Sequence, residues 1–379
     1  MILPGATLGV LGGGQLGAMF AMAAKRMGYR VEAISDVADC PAAHQCHRVH
    51  VGAYDDAEWL AQIARGFNVV TFEFENIPVA ATRALERVVP VRPAPEVLFT
   101  TQNRTREKAF LVANGFDCVP HRAVGSGLEL RAAVAALGLP SVLKTAAFGY
   151  DGKGQQFIQQ GADTGAIDAA WETLGPQELL LEAWVDFEVE ISVVAARGWN
   201  GETAVFEPSR NVHRHHILDM ASTPAELPAG ILATARTTTA AILEALGVVG
   251  VACVEFFVTR DGRVLVNEIA PRPHNSGHLT IDACETSQFE QQVRAICGLP
   301  LGSVRQILPA AMANLLGDCW HNGTPDWPAA LAVPGVSLLL YGKNDPRAGR
   351  KMGHLTACAK TVSEAIENAS RARKNACRF

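Results

Sequence analysis

The sequence predicts an α/β region built on parallel strands, followed by an α+β region, and three observations predict it. Strand and helix patterns alternate from residue 7 to about 98, the order of a doubly wound parallel sheet. In the middle of the chain strand follows strand, and an Asp-Gly pair there lies between two apolar β runs, the strongest short hairpin signal. A chain of 379 residues, 49% hydrophobic and 19% charged, can build two or three domains with cores of their own.

In chain order, "TLGVLG" reads as a buried strand, "QLGAMFAMAAKRMG" as a helix stopped by Gly28, and "YRVEAIS" as a second strand. "EWLAQIARG" and "NVVTFEF" repeat the helix-strand unit, and the proline-rich "VVPVRPAPEVL" closes the region. The helix of "TQNRTREKAFLVANG" opens the next one, and "CVPHRAVG" follows as an extended piece. In "SGLELRAAVAALGLP", Ser126 and Glu129 have capping-box spacing, and Gly138 with Pro140 stops the helix. "SVLKTAAF", "GQQFIQ", "ELLLEAW" and "FEVEISVVAAR" read as strands, and no element is assigned to the tail "SRARKNACRF".

The formal charge of −5 comes without a basic run or an aromatic-basic stripe, which argues against nucleic acid as a partner. No stretch approaches the roughly 18 consecutive apolar residues of a membrane span, and the N-terminus has no basic n-region of a signal peptide. Nine cysteines without C-x-x-C pairs suit reduced thiols better than a disulfide frame or a zinc site, so a cytoplasmic protein is expected.

Gly12, Gly14 and Gly17 match the dinucleotide fingerprint G-x-G-x-x-G, with Asp36 placed where such sites carry their ribose acid. A nicotinamide-dependent dehydrogenase would explain residues 9 to 36 and little else. The hairpin is more informative. If Asp261 and Gly262 form a two-residue loop, Arg260 pairs with Arg263, and counting inward sets Glu255 opposite Glu268, Cβ atoms about 5 Å apart. Two opposed carboxylates between apolar strands call for a cation between them, and Mg²⁺ takes one or two carboxylates plus substrate oxygens. Upstream, Lys144 precedes a loop holding Gly149, Gly152 and Gly154, whose backbone N–H groups could approach phosphates, with Lys153 adding charge. "LLLEAWVDFEVE" then supplies an apolar linker carrying Glu182, Glu188 and Glu190.

Lysine, glycine loop, acidic linker and paired glutamates, in that order, resemble the ATP-grasp superfamily. The words "GGGQLG", "FEFENIP", "GYDGKGQ", "NEIAPRPHNSGH" and "GRKMGHL" are similar to those of the narrower N5-carboxyaminoimidazole ribonucleotide synthetase family, across essentially the whole chain. The resemblance implies an ATP-grasp fold with an N-terminal Rossmann-like domain over 1–100, an ATP-grasp domain over 101–299 with a mobile lid at about 118–183, and a small β-rich subdomain over 300–379. It implies ATP and Mg²⁺ (or Mn²⁺) rather than NAD, 5-aminoimidazole ribonucleotide and bicarbonate as substrates, a homodimer, and a product passed on to the N5-carboxyaminoimidazole ribonucleotide mutase. Another ATP-grasp ligase, of the formate-dependent transformylase or biotin carboxylase type, is the alternative.

By the same resemblance Arg104, Lys144 and the loop Gly149, Tyr150, Asp151, Gly152, Lys153, Gly154 and Gln155 hold the phosphates. Glu182, Ala183, Trp184 and Val185 hold the adenine edge, Glu190 the ribose, with His213 and Asn267 nearby. Glu255 and Glu268 carry the metal. Arg272, His274 and Asn275 serve the carboxyl intermediate, with His274 the first candidate for proton transfer. Tyr150 and Asp151 close over the substrate. Lys343, Arg350 and Lys351 take the ribose 5′-phosphate, while Gln15, Leu16, Glu73 and Asn76 face the ribonucleotide. Two positions depart from the wider pattern: Ala270, where the superfamily often has asparagine, and Ala147, where a longer, often basic residue is usual.

Overall fold

The computed structural model of the chain describes residues 1–147 and 154–378. The first layer contains β1 (Thr7–Leu11), α1 (Gln15–Arg26), β2 (Arg30–Ser35), β3 (Arg48–Val51), α2 (Ala57–Ala64), β4 (Val69–Phe72) and α3 (Val79–Glu86). Its four strands are all parallel in the order β3-β2-β1-β4. β1 and β4 are apolar nearly throughout because helices cover both faces of the sheet. The proline-rich segment is less of a loop than its composition suggests: α4 (Pro95–Thr101) starts on Pro95, whose missing N–H costs nothing at a helix N-terminus. α5 (Arg104–Ala113) follows, capped by Asn103 Oδ1 on Arg106 N at 3.0 Å.

A small antiparallel sheet in the order β5-β8-β6-β7 comprises β5 (His121–Val124), β6 (Ser141–Thr145), β7 (Gln155–Ile158) and β8 (Leu179–Ala183), covered by α6 (Gly127–Leu137) and α7 (Thr164–Leu174). Ser126 caps α6 as its spacing predicts, accepting from Glu129 N at 3.2 Å. Glu129 reaches back one residue further than a capping box, to Gly125 N at 2.7 Å.

The rest is one large sheet. It takes β9 (Phe187–Arg197), β10 (Thr203–Val205), β11 (Ser209–Arg214), β12 (Ile217–Thr223), β13 (Gly250–Thr259), β14 (Val264–Ala270), β15 (Ala310–Leu316), β16 (Val336–Leu340) and β17 (Lys351–Cys358). The order is β14-β13-β9-β11-β12-β15-β17-β16, with β10 on β9, so the C-terminal strands extend the central sheet through the β12–β15 pairing. α8 (Ala229–Ala245) packs beneath it, α9 (Thr280–Ala283) packs on its C-terminal strands, and α10 (Gln288–Cys297) links it to the first layer. α11 (Trp327–Leu331) and α12 (Val362–Cys377) close the C-terminal end.

As far as Cys377, the tail without an assigned element is helix. Thr361 caps α12, and Ala365, Ala369, Ala372 and Ala376 form its fully buried stripe against the sheet. The expectation of reduced thiols fails at one pair, because Cys377 on this helix is disulfide-bonded to Cys319; the other seven cysteines are free. Among the described residues no helix is long and apolar enough to cross a membrane.

Candidate active site

The β13–β14 hairpin puts Glu255 opposite Glu268, as the sequence predicts, but by a different route. The turn is longer than two residues, with Val258 opposite Val264, and Gly262 N donates to Thr259 O at 2.9 Å. The offset is removed by a bulge between Glu255 and Phe256, with Asn267 as the extra residue on β14. Lys108 on α5 accounts for its position: its Nζ donates to Asn267 O at 2.8 Å.

The pair faces a cleft of about 1080 Å³ between the small sheet, the central sheet and the first layer. Gln15, Leu16, Glu73, Asn76, Arg104, Lys144, Gly154, Gln155, Glu182, Ala183, Trp184, Val185, Glu190, His213, Glu255, Asn267, Glu268, Arg272, His274, Asn275 and Lys351 all line it. Gly149, Tyr150, Asp151, Gly152 and Lys153 lie outside the described residues. Lys343 and Arg350 do not line the cleft. Their loop folds on itself, with Lys343 Nζ donating to Lys351 O at 2.7 Å and Arg350 Nη1 to Asp345 O at 2.8 Å.

The electrostatics divide the cleft. Glu182 is buried between two lysines: Lys144 bonds one oxygen, and Lys108 Nζ lies 3.2 Å from the other. Burial opposes ionisation, but these cations outweigh it and hold the carboxyl well below the usual range. Lys108 is fully buried and was not predicted as part of the site; its helical spacing reads as an ordinary surface charge. At the hairpin, burial and then repulsion from Glu268 push Glu255 up to about 7. Glu268 moves down despite its burial, because Arg104 Nη1 bonds it at 3.1 Å. Glu190 bonds His213 Nδ1 at 2.5 Å, which raises the imidazole in spite of burial.

Arg272 reaches the first layer, where Nη2 lies 2.8 Å from Glu75 Oε1. Glu75 was not predicted either, although it stands inside "FEFENIP". His274 Nδ1 bonds Ser276 Oγ at 2.8 Å, and its Nε2 faces Glu255 Oε1 at 3.1 Å. Burial, then the charges of Arg272 and Lys351, keep this imidazole far below its ordinary range. Buried polar atoms without a partner among the described residues gather here: Asn267 Oδ1, Arg272 Nε, both amide atoms of Asn275 and His278 Nε2. In a folded chain such groups are nearly always satisfied, so their clustering marks a place built for a polar ligand.

At the glycine turn Gly17 N donates to Glu73 Oε2 at 2.6 Å, and Gly14 N bonds the other oxygen. A Cβ on Gly14 would lie 2.5 Å from Glu73 Oε1, so the glycines make room for this carboxylate. The amides at the helix N-terminus are thereby given two acceptor oxygens from within the chain.

A lysine-clamped carboxylate on the small sheet, paired carboxylates on the large one and a polar cleft between them define an ATP-dependent ligase of the ATP-grasp class. The ATP-grasp domain model matches residues 109–289. The ribonucleotide synthetase preATP-grasp domain matches residues 5–102, and the phosphoribosylaminoimidazole carboxylase C-terminal domain residues 310–368. N5-carboxyaminoimidazole ribonucleotide synthases of Brucella melitensis and Bacillus subtilis are 44% and 41% identical to the chain, over 93% and 97% of it and 96% and 95% of their own lengths. The ADP complex of an N5-carboxyaminoimidazole ribonucleotide synthetase superposes with a TM-score of 0.92 at 39% identity, covering 98% of this chain and 97% of that one. The Aspergillus clavatus enzyme in complex with ADP and 5-aminoimidazole ribonucleotide superposes with a TM-score of 0.88 at 29% identity, covering 99% of each chain. The chain belongs to the N5-carboxyaminoimidazole ribonucleotide synthase family.

Proposed function

We propose that the cleft binds ATP, bicarbonate and 5-aminoimidazole ribonucleotide and makes N5-carboxyaminoimidazole ribonucleotide for purine biosynthesis through carboxyphosphate. The observation that carries this reading is the meeting, in one cleft, of the Lys144–Glu182 linker, the Glu255–Glu268 pair and the unpartnered polar atoms of Arg272 and Asn275. Arg104 and Lys144 face the phosphates, and Trp184 and Val185 the adenine. A bicarbonate oxygen attacks the γ-phosphorus and ADP leaves; the substrate amine then attacks the carboxyl carbon and phosphate leaves. The protein's work is charge neutralisation and positioning. Arg272 offers a planar donor for the carboxyl intermediate, and Glu75 fixes its guanidinium. His274 is suited to orient Glu255 through Nε2–H rather than to take a proton, since burial and the charges of Arg272 and Lys351 disfavour its imidazolium.

The donor set fits a magnesium ion. Two carboxylates stand directly across the ladder, and the burial and mutual repulsion that push Glu255 up to about 7 are what a cation between them would relieve. Glu255 and Glu268 would hold the ion, which would neutralise phosphate charge when bound. Asn267 lies beside them. Lys351 lines the cleft and is the direct ribonucleotide phosphate contact; Lys343 and Arg350 shape its loop. The reading extends to a homodimer, which sedimentation velocity tests.

The deciding assay is ADP release. It should depend on bicarbonate and be stimulated by 5-aminoimidazole ribonucleotide. Stimulation by formate with glycinamide ribonucleotide instead would overturn the reading in favour of a transformylase.

A further inference from the structure

His278 follows Gly277 in the 3-10 turn Asn275–Leu279, is fully buried, and lines the cleft beside Arg272, His274, Asn275 and Lys351. A neighbouring amide sets its tautomer. Gln288 is also fully buried; its Oε1 accepts from His274 N at 2.8 Å and its Nε2 donates to His274 O at 2.7 Å. A backbone N–H only donates and a carbonyl only accepts, so these two bonds fix which end of the amide is nitrogen. The remaining Nε2 hydrogen is directed at His278 Nδ1, 3.1 Å away. Nδ1 is then the acceptor, and the ring hydrogen sits on Nε2. Glycine at 277 permits this arrangement, because a Cβ there would meet Gln288 Oε1 at 2.6 Å.

Nε2 is itself buried and has no acceptor among the described residues, although the residue borders the cleft. Burial, then the neighbouring imidazoles of His354 and His274 and the charges of Lys351 and Arg272, keep the ring neutral. An uncharged N–H fixed in direction among cations suits an oxygen whose negative charge appears only during reaction.

We propose that His278 Nε2–H is a catalytic hydrogen-bond donor to the carbonyl oxygen of carboxyphosphate in the carboxyl-transfer step, an assignment that rests on the function proposed above. As the exocyclic amine attacks the carboxyl carbon, the N–C bond forms and the carbonyl oxygen gains charge, which His278 stabilises. The C–O bond to the phosphoryl group then breaks, phosphate leaves with the electron pair, and the amine proton passes to it. Phosphorylation of bicarbonate does not need this donor; the transfer of its carboxyl group does.

The test is coupling, measured as labelled bicarbonate fixed into product per ADP released. His278→Asn keeps an acceptor near Nδ1 for Gln288 and removes the donor at Nε2. It is expected to lower product per ADP at least tenfold, while bicarbonate-dependent ADP release and the KM for ATP stay within about threefold. His278→Gln, whose amide reaches the Nε2 position, is expected to recover most of the coupling. Wild-type coupling in the asparagine variant, or equal loss of product and ADP release, overturns the proposal. Should that variant not fold, long-range proton–nitrogen NMR of histidine-labelled wild type decides, since an Nδ1–H tautomer at His278 refutes it. A wild-type enzyme that releases no ADP with bicarbonate and ribonucleotide refutes the functional reading instead.

Discussion

Replacing Lys108 by methionine removes a charge from one of the most buried ion clusters in the chain. The lysine and Glu182 side chains are 1% and 3% exposed, so solvent screening is nearly absent. At 3.2 Å and an effective dielectric constant of about 20, their attraction is about 5 kcal/mol. Lys144 still neutralises one oxygen of Glu182, yet the other is left buried without its cation, and Asn267 O loses its 2.8 Å donor. Breaking a buried pair from one side typically costs about 3–5 kcal/mol, because the survivor keeps its desolvation penalty. We expect a loss in that range, read as the urea midpoint at pH 7.5. Glu182→Gln lifts the penalty, so the double variant should be more stable than the sum of the two single effects by about 1.5 kcal/mol or more. The variant should also weaken ADP binding, since Glu182 and Asn267 both line the cleft proposed to take the nucleotide. A loss below about 1 kcal/mol, or simple additivity, would refute this account of the cluster.

Other residues give separate tests. Glu73→Gln leaves one good acceptor for two amides, Gly14 N and Gly17 N, and should cost about 1–3 kcal/mol in urea unfolding; an unchanged midpoint would show that the carboxylate does not hold the turn. Lys351→Ala should raise the KM for the ribonucleotide more than that for ATP in steady-state kinetics, and equal effects would argue against a phosphate contact. Burial depresses His354 to about 3, so the native chain binds fewer protons than the unfolded one at pH values between there and about 6.5. Stability is therefore lost as pH falls through that window, by about 2 kcal/mol from pH 7 to pH 5 for this residue. His354→Asn should flatten the pH dependence of the urea midpoint, and a slope identical to wild type would contradict the assignment.

What the sequence made legible was whatever depended on neighbours along the chain. Alternating strands and helices of the first layer, the Ser126 cap and the hairpin partners were all readable from short-range pattern. The register shows the limit. A two-residue loop predicts the right glutamate pair only because the longer turn and the bulge at Asn267 cancel, and the bulge answers to Lys108, a lysine on a distant helix. Lys108 itself was invisible for the same reason: nothing local distinguishes a helical lysine in solvent from one whose partner, Glu182, arrives on another sheet. In the tail, arginines and lysine dominate the composition, while the buried stripe is alanine, which gives little hydrophobic contrast. Arg373 there is held by Asp219 at 2.6 Å, a contact that only tertiary structure supplies.

The glycine turn shows how a correct local reading can suggest the wrong ligand. Three glycines after a buried strand allow close approach to the N-terminus of a helix, and a dinucleotide pyrophosphate is the usual reason for such a seat. Here the approaching group is the carboxylate of Glu73, delivered by the loop after β4. Burial favours its neutral form, whereas the Gly17 and Gly14 amides and the charges of Arg272 and Lys343 favour the carboxylate. Burial prevails and the carboxyl is raised, but whatever its charge a pyrophosphate could enter only by displacing that buried side chain. The seat instead fixes one wall of the cleft: Glu73 is anchored to the turn, two residues later Glu75 grips Arg272, and the first layer is thereby tied to the hairpin that bears the glutamate pair.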